Sequence, residues 1–409
     1  MSDVDAAALG ARAEAMIKAL AAISAEPGRL VRLFLTPEHR RAADLVAGWM
    51  REAGLTVSED VLGTVRGRVG EGKRLLIGSH IDTVIDAGNY DGPLGVVAGI
   101  LAAGHFKGRP PVPIDVLAFG DEEGSRFPAT MASSSACAGV FDTGTLDMAD
   151  RKGVTLADAI KAYGKNPDDI AKAAYRKNEV LAYVEAHIEQ GPLLEAENEP
   201  LGVVTGIVGQ SRWRVTVSGE AGHAGTVPMR MRRDALAGAA EMALMIERTA
   251  KENAASGMVA TVGRFDVSPG ATNIIPTSVA FTIDLRDMND TLRHAAIETI
   301  RRDARTIAEA RDLGVIFDPF HDAAAVACDS GLQQQFADAI GALGHKPIRL
   351  PSGAGHDAQT MAQLCPTAML FVRCRRGISH NPAEYTSPAD MGLAVAALIR
   401  FIENFKPPS

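Results

Sequence analysis

The chain carries a set of imidazoles and carboxylates whose types and spacing suit metal chemistry. His80-x-Asp82 follows the apolar run Leu75-Leu76-Ile77, and Asp91-Gly92 comes eleven residues after His80. Glu122-Glu123 follow the run from Ile114 to Phe119. His187 and Glu189 stand in Ala186-His187-Ile188-Glu189-Gln190-Gly191, and His380 stands in Gly377-Ile378-Ser379-His380-Asn381-Pro382. Nitrogen and oxygen donors without a thiolate suit Zn, Mn, Co or Ni. In such a set one Asp can bridge two cations about 3.5–4 Å apart, and an open position holds a water whose pKa falls toward ~7. A further carboxylate, not itself a ligand, takes the proton from that water and later delivers it to a leaving nitrogen. Adjacent Glu122 and Glu123 can split those roles, because neighbouring side chains on an extended backbone point in different directions. Taken singly, each residue has an ordinary reading: a Glu-Glu pair as a solvated face, a His after a strand as a hydrogen-bonded structural group. The case rests on their joint placement in Gly-punctuated turns after apolar strands. His39, His105, His294, His321 and His345 lie in no polar cluster and read as surface or capping residues.

The elements that must carry these residues are legible in outline. Pro37 starts a helix whose periodicity runs from Arg40 to Glu52 and stops at Gly54. Strands at 75–77 and 114–119 flank a buried helix from Leu94 to Phe106. In open α/β sheets, sites form at the carboxyl ends of the strands. From about Ser211 the texture changes. Trp213 to Ser218 alternates as a half-exposed strand, and a helix from Arg233 to about Lys251 follows. Strands at Met258 to Phe265 and Val279 to Leu285 come next, then a helix from Thr291 to about Arg311. After about Ala325 the α/β pattern returns, with a helix at 333–343, a buried strand at 368–372 and a closing helix at 389–405. The expected fold is α/β, with a small α/β sandwich at 211–325 inserted into a larger domain made of 1–210 and 326–409.

Composition narrows the class. Hydrophobic residues make up 46% of the 409, so a sizeable core is available and wholesale disorder is excluded. A net charge of −8 argues against nucleic-acid or anionic-membrane partners. The four Cys are scattered and form no C-x-x-C pair, which fits reduced thiols and no thiolate zinc site. The N-terminus MSDVDAAALGARAEAM lacks the basic and apolar regions of a signal peptide, and no stretch of about 18 apolar residues exists. A soluble cytoplasmic protein is expected.

The segments Gly78-Ser79-His80-Ile81-Asp82-Thr83-Val84, Asn89-Tyr90-Asp91-Gly92, Asp121-Glu122-Glu123-Gly124-Ser125-Arg126-Phe127 and His187-Ile188-Glu189-Gln190-Gly191 resemble the M20-type metallo-amidohydrolases. Gly222-His223-Ala224-Gly225-Thr226, Asn273-Ile274-Ile275-Pro276, Ser352-Gly353-Ala354-Gly355-His356-Asp357-Ala358 and Ile378-Ser379-His380-Asn381-Pro382 continue the resemblance in order. More narrowly they resemble the branch of allantoate amidohydrolases and N-carbamoyl-L-amino-acid hydrolases. The resemblance implies a metallopeptidase-like catalytic domain with an inserted lid or dimerisation domain, a homodimer, and two divalent metal ions per chain. His80 and His187 would hold one ion, Glu123 and His380 the other, and Asp91 would bridge. Glu122 would be the general base and acid, and Asp82 would orient His80. His223 resembles the residue that polarises the scissile carbonyl. Gln190, Asn273 and the backbone at Gly355 would contact substrate. Arg286, ending Ile283-Asp284-Leu285-Arg286, is a natural bidentate partner for a substrate carboxylate. Its plain alternative is a surface pair with Asp284 or Asp287, and the resemblance favours the carboxylate role.

Three departures stand out. Asp86-Ala87-Gly88 replaces a turn with two glycines, Val227 replaces a usual Thr, and Ser133-Ser134-Ser135 stands where the family shows Gly-Ser and a basic residue. No implied metal ligand is altered. The implied reaction is hydrolysis of ureido or carbamoyl C–N bonds. The alternatives are an M20 aminoacylase or dipeptidase, and a ligand-binding relative without turnover. Serine or cysteine catalysis and nucleotide binding lack their motifs.

Overall fold

The continuous apolar runs of the sequence form strands buried on both faces, as expected where helices cover the parallel centre of a sheet. The computed structural model describes residues 4–408, so the expectation about the extreme N-terminus falls partly outside it. In chain order the strands are β1 (Thr56–Glu59), β2 (Val65–Val69), β3 (Arg74–His80), β4 (Ile114–Phe119), β5 (Val180–Ile188), β6 (Leu201–Ile207) and β7 (Gly209–Ser218). There follow β8 (Val259–Ser268), β9 (Ser278–Asp287), β10 (Gly314–Ala323), β11 (Val326–Ala327), β12 (Ile348–Ser352) and β13 (Thr367–Val372). The chain divides into two compact units, Met1–Thr205 with Ala327–Ser409, and Gly206–Val326.

The first unit is built on a mixed nine-stranded sheet in the order β1-β2-β4-β3-β5-β13-β6-β11, with β12 also on β6. Its centre is parallel: β3 pairs β4 and β5, and β13 pairs β5, all in one direction. The carboxyl ends of β3, β4, β5 and β13 therefore lie along one edge. Helix Pro93–His105 is apolar on every side and lies against β3 and β5. It is covered in turn by helices Ala6–Ala21 and Pro388–Glu403, which accounts for its lack of a polar face. Thr36 caps the next helix, Pro37–Glu52, by accepting from the His39 N–H.

The second unit is a four-stranded antiparallel sheet in the order β10-β7-β9-β8. Along β9 buried and half-buried residues alternate. Val279, Phe281, Ile283 and Leu285 pack with helices Ala235–Glu252 and Asp290–Ala310, and the other face is left open. The sequence showed three of these strands. The fourth, β10, escapes because Asp318-Pro319 and His321-Asp322 interrupt its apolar alternation. The edge hairpin β1–β2 escapes likewise, being short and mixed in polarity. His39, expected at the surface or in a cap, is instead fully buried, with Nδ1 2.9 Å from the Tyr163 hydroxyl. Among the described residues no helix is long and apolar enough to cross a membrane.

Candidate functional site

The parallel strands deliver the candidate residues to one edge of the main sheet. His80 is the last residue of β3, His187 the penultimate residue of β5, and Glu122-Glu123 follow β4. Asp91 stands just ahead of helix Pro93–His105, where the N-terminal dipole favours a carboxylate. The intervening Gly92 has φ +83°, and a Cβ there would meet the His80 ring at 2.5 Å, so glycine is required twice over.

Asp91 lies at the centre. Its Oδ1 is 3.1 Å from His187 Nε2 and 3.6 Å from His80 Nε2. Its Oδ2 is 3.1 Å from His380 Nε2, which is itself 3.5 Å from Glu123 Oε2. The ligand atoms of His80, Asp91 and His187 all lie within 4.8 Å of one another, as do those of Asp91, Glu123 and His380. Glu122 Oε2 is 4.0 Å from His80 Nε2. The imidazoles are held from behind. His187 Nδ1 is 2.9 Å from the Ile188 carbonyl, and His80 Nδ1 is 3.2 Å from the Asp82 carbonyl and 3.3 Å from its carboxylate. Asp82 also accepts the N–H of Glu122 at 3.1 Å and of Glu123 at 3.2 Å, so one buried carboxylate fixes both neighbours.

The buried Nε2 atoms of His80 and His187 make no hydrogen bond. Such orphaned nitrogens are costly unless something fills their lone pairs. The electrostatics also call for positive charge. Burial, only partly opposed by His80, pushes Glu122 well above the usual carboxylate range. Burial and then Asp91 push Glu123 up to about 7. Burial would raise Asp91 as well, but the three imidazoles around it hold it well below its ordinary value. Asp91 in return raises His380 to about 9. Protons here stand in for cations, and the donor set fits divalent ions with nitrogen and oxygen preferences.

Two groups at this edge carried no assigned role in the sequence, and a third was missed. His356 packs its ring edge-on against His187, with centroids 4.4 Å apart, and its Nε2 is 2.7 Å from Ser352 Oγ. Asp357 is fully buried beside it. Glu185, missed in the sequence, shares a face of β5 with His187 and accepts from the Ser79 hydroxyl, the Tyr183 hydroxyl and the Ala358 N–H. An acid two residues before a candidate ligand on one strand was the available signal. Gln190, expected to contact substrate, turns its amide onto Asp91 Oδ2 at 2.8 Å and Ser379 Oγ at 3.1 Å. Gly355 lies half-buried in the loop immediately before His356.

The other expected residues lie in the second unit. His223 and Asn273 are exposed neighbours, joined by the Ala224 N–H bonding to the Asn273 carbonyl at 3.0 Å. They stand beyond the Ser278 end of β9. Arg286 stands near the other end, eight residues along, which is about 27 Å in an extended strand. The structure therefore does not bring His223 and Asn273 together with Arg286 within the unit. Arg286 forks onto Asp284, with Nε and Nη2 each at 2.8 Å, and Arg212 shares that carboxylate at 2.9 Å. Arg286 thus has the Asp284 pairing weighed in the sequence.

Residues 76–404 match the peptidase family M20/M25/M40. The chain belongs to that family. An allantoate deiminase from Arabidopsis thaliana is 41% identical, over 98% of this chain and 83% of that protein. An N-carbamoyl-L-amino acid amidohydrolase from Geobacillus stearothermophilus is 42% identical, over 91% of this chain and 92% of that protein. A crystal structure of a hydantoinase/carbamoylase-family amidase from Burkholderia multivorans superposes with a TM-score of 0.90 at 33% identity, covering 98% of both chains. The chain is an M20 metallo-hydrolase of the hydantoinase/carbamoylase branch, and its buried His, Asp and Glu groups are the metal-ligand candidates.

Proposed function

We propose that the chain hydrolyses linear ureido or carbamoyl C–N bonds, with allantoate and N-carbamoyl-L-amino acids as the two substrate classes. The observation that carries this reading is Asp91, with one oxygen toward His80 and His187 and the other toward His380 and, beyond it, Glu123. In this reading His80, His187 and Asp91 would hold one divalent ion, and Asp91, Glu123 and His380 a second. Ions bound there would supply Lewis acidity and bring the pKa of a water toward about 7.

The chain's own groups do the rest. Glu122 takes the attacking water's proton and hands it to the leaving nitrogen, and burial keeps it apt to hold a proton between those events. Asp82 orients both His80 and the Glu122-Glu123 backbone. Gln190 and the Gly355 backbone border the reacting centre. Arg286, held in plane by Asp284, pairs with the substrate carboxylate. His223 polarises the scissile carbonyl and Asn273 assists in binding. The separation of these two from Arg286 supports a homodimer, in which a second copy supplies the far set, with the inserted unit as lid and dimerisation element. Hydrolysis of a carbamoyl amino acid would release carbon dioxide, ammonia and the amino acid.

The test strips the protein with chelator and measures ammonia release from allantoate and from N-carbamoyl-L-amino acids, with and without added Mn or Zn. Metal-dependent release from at least one substrate, lost in Glu122→Gln, is the expected result. Turnover of N-acyl amino acids with no release from either ureido substrate would replace this reading with an aminoacylase.

A further inference from the structure

Glu384 lies outside every motif that marks the site, yet it reaches the centre of it. It follows Asn381-Pro382-Ala383 in the loop that carries His380, and its own N–H bonds back to the Asn381 carbonyl at 3.0 Å. The residue is only 4% exposed. One carboxylate oxygen accepts the backbone N–H of Tyr90 at 2.7 Å and of Asp91 at 3.1 Å, across 293 residues of sequence in the second case. The other lies 3.0 Å from the Ser379 hydroxyl, which is also 2.8 Å from Asp91 Oδ2. Glu384 therefore grips the Asp91 backbone directly, and its other oxygen shares with Asp91 Oδ2 the reach of the single Ser379 proton. A Cβ on Gly88 would sit 2.3 Å from the Glu384 carboxyl carbon, so the one glycine in the Asp86-Ala87-Gly88 turn is the position that faces this side chain.

We propose that Glu384 is a positioning residue for Asp91, and that Gly88 is glycine in order to admit it. The inference rests on the reading of Asp91 as a shared metal ligand. Asp91 reaches both donor sets only if its two oxygens point in opposite directions between the His80 and His380 loops. Nothing in its own short turn fixes that orientation. Glu384 holds the Asp91 backbone from the loop that carries His380, beside the Gln190 amide on Oδ2, and so ties the Asp91 turn to the His380 loop.

The experiment measures Zn binding to the full-length, chelator-stripped protein by competition with a chromophoric chelator, alongside the unfolding midpoint of the zinc-free form. Glu384→Ala is expected to weaken binding at the weaker site by about 10–100-fold, the range seen when groups that orient a ligand are removed. Gly88→Ala, whose methyl displaces the carboxylate, is expected to show the same loss. The double variant is expected to be no weaker than either alone. Glu384→Gln keeps an oxygen for the two N–H groups and an amide for Ser379, and is expected to bind Zn close to the parent. A lowered midpoint with unchanged Zn affinity in Glu384→Ala would overturn the proposal, because the residue would then serve the fold alone. Glu384→Gln as weak as Glu384→Ala would overturn it too, since charge and not geometry would be the cause. Asp91→Asn separates the two levels. If that variant still binds Zn as the parent does, the reading of Asp91 as a ligand fails. If it loses Zn while Glu384→Ala does not, only the present inference fails.

Discussion

Asp82 offers the sharpest single perturbation. Its carboxylate accepts two backbone N–H groups, from Glu122 and Glu123, and stands 3.3 Å from His80 Nδ1. Asp82→Ala leaves all three without that partner. A hydrogen bond to a charged acceptor contributes about 1.5–3 kcal/mol, and these contacts of 3.1 and 3.2 Å belong at the low end of that range. The zinc-free protein should therefore lose roughly 2–4 kcal/mol of stability. Asp82→Asn keeps one acceptor oxygen and turns an NH2 toward the other N–H, so its loss should be intermediate. Zn affinity should fall by about 10–100-fold in Asp82→Ala, because His80 loses the group that sets its orientation. Urea unfolding of the stripped protein reads the first quantity, and chelator competition reads the second. Zn affinity at the parent level in Asp82→Ala would refute the reasoning, whatever happened to stability.

Glu122→Gln should lower kcat by about 10²–10⁴-fold while metal content and KM stay near the parent values; more than a tenth of the activity remaining would count against Glu122 as the proton carrier. Arg286→Lys keeps the charge but loses the fork that Asp284 holds, so KM for a ureido substrate should rise by at least about tenfold with little change in kcat, measured by steady-state kinetics. His39 sets part of the acid limit of stability. Burial pushes its pKa down to about 3 from an ordinary 6.5, so below pH 6.5 the unfolded chain takes up a proton that the folded chain refuses. The stability it costs grows by about 1.4 kcal/mol per pH unit as pH falls through that window, and is absent above it. In urea unfolding between pH 7 and pH 4, His39→Phe should show a shallower fall than the parent, and an equal fall would show that the acid limit lies elsewhere.

The site was legible where chemistry and local pattern coincide. His80, Glu122 and Glu123 follow buried apolar runs that can only be strands, and strands of that kind present their carboxyl ends to a common edge. Asp91 and His380 announce themselves through flanking Gly, Asn and Pro. What escaped is what depends on distant partners. Glu384 accepts from amides nearly three hundred positions away, with no local pattern to mark it. His39 is buried by Tyr163, 124 residues on. The distance between His223 and Arg286 follows from which end of β9 each occupies, and that needs the strand pairing, not the spacing. Three strands of the second sheet were legible because its open face leaves an alternation that the buried strands lack. Its fourth strand was hidden because polar residues on both faces, Asp318 and His321 on the open one and Asp322 on the other, broke the pattern.

The most direct test of the account is anomalous diffraction at the metal edge from crystals of the metal-loaded protein. The account predicts two peaks per chain about 3.5–4 Å apart, one among His80, His187 and Asp91 Oδ1, the other among Asp91 Oδ2, Glu123 and His380. A single peak that does not touch Asp91, or two peaks with Asp91 bound to neither, would contradict it.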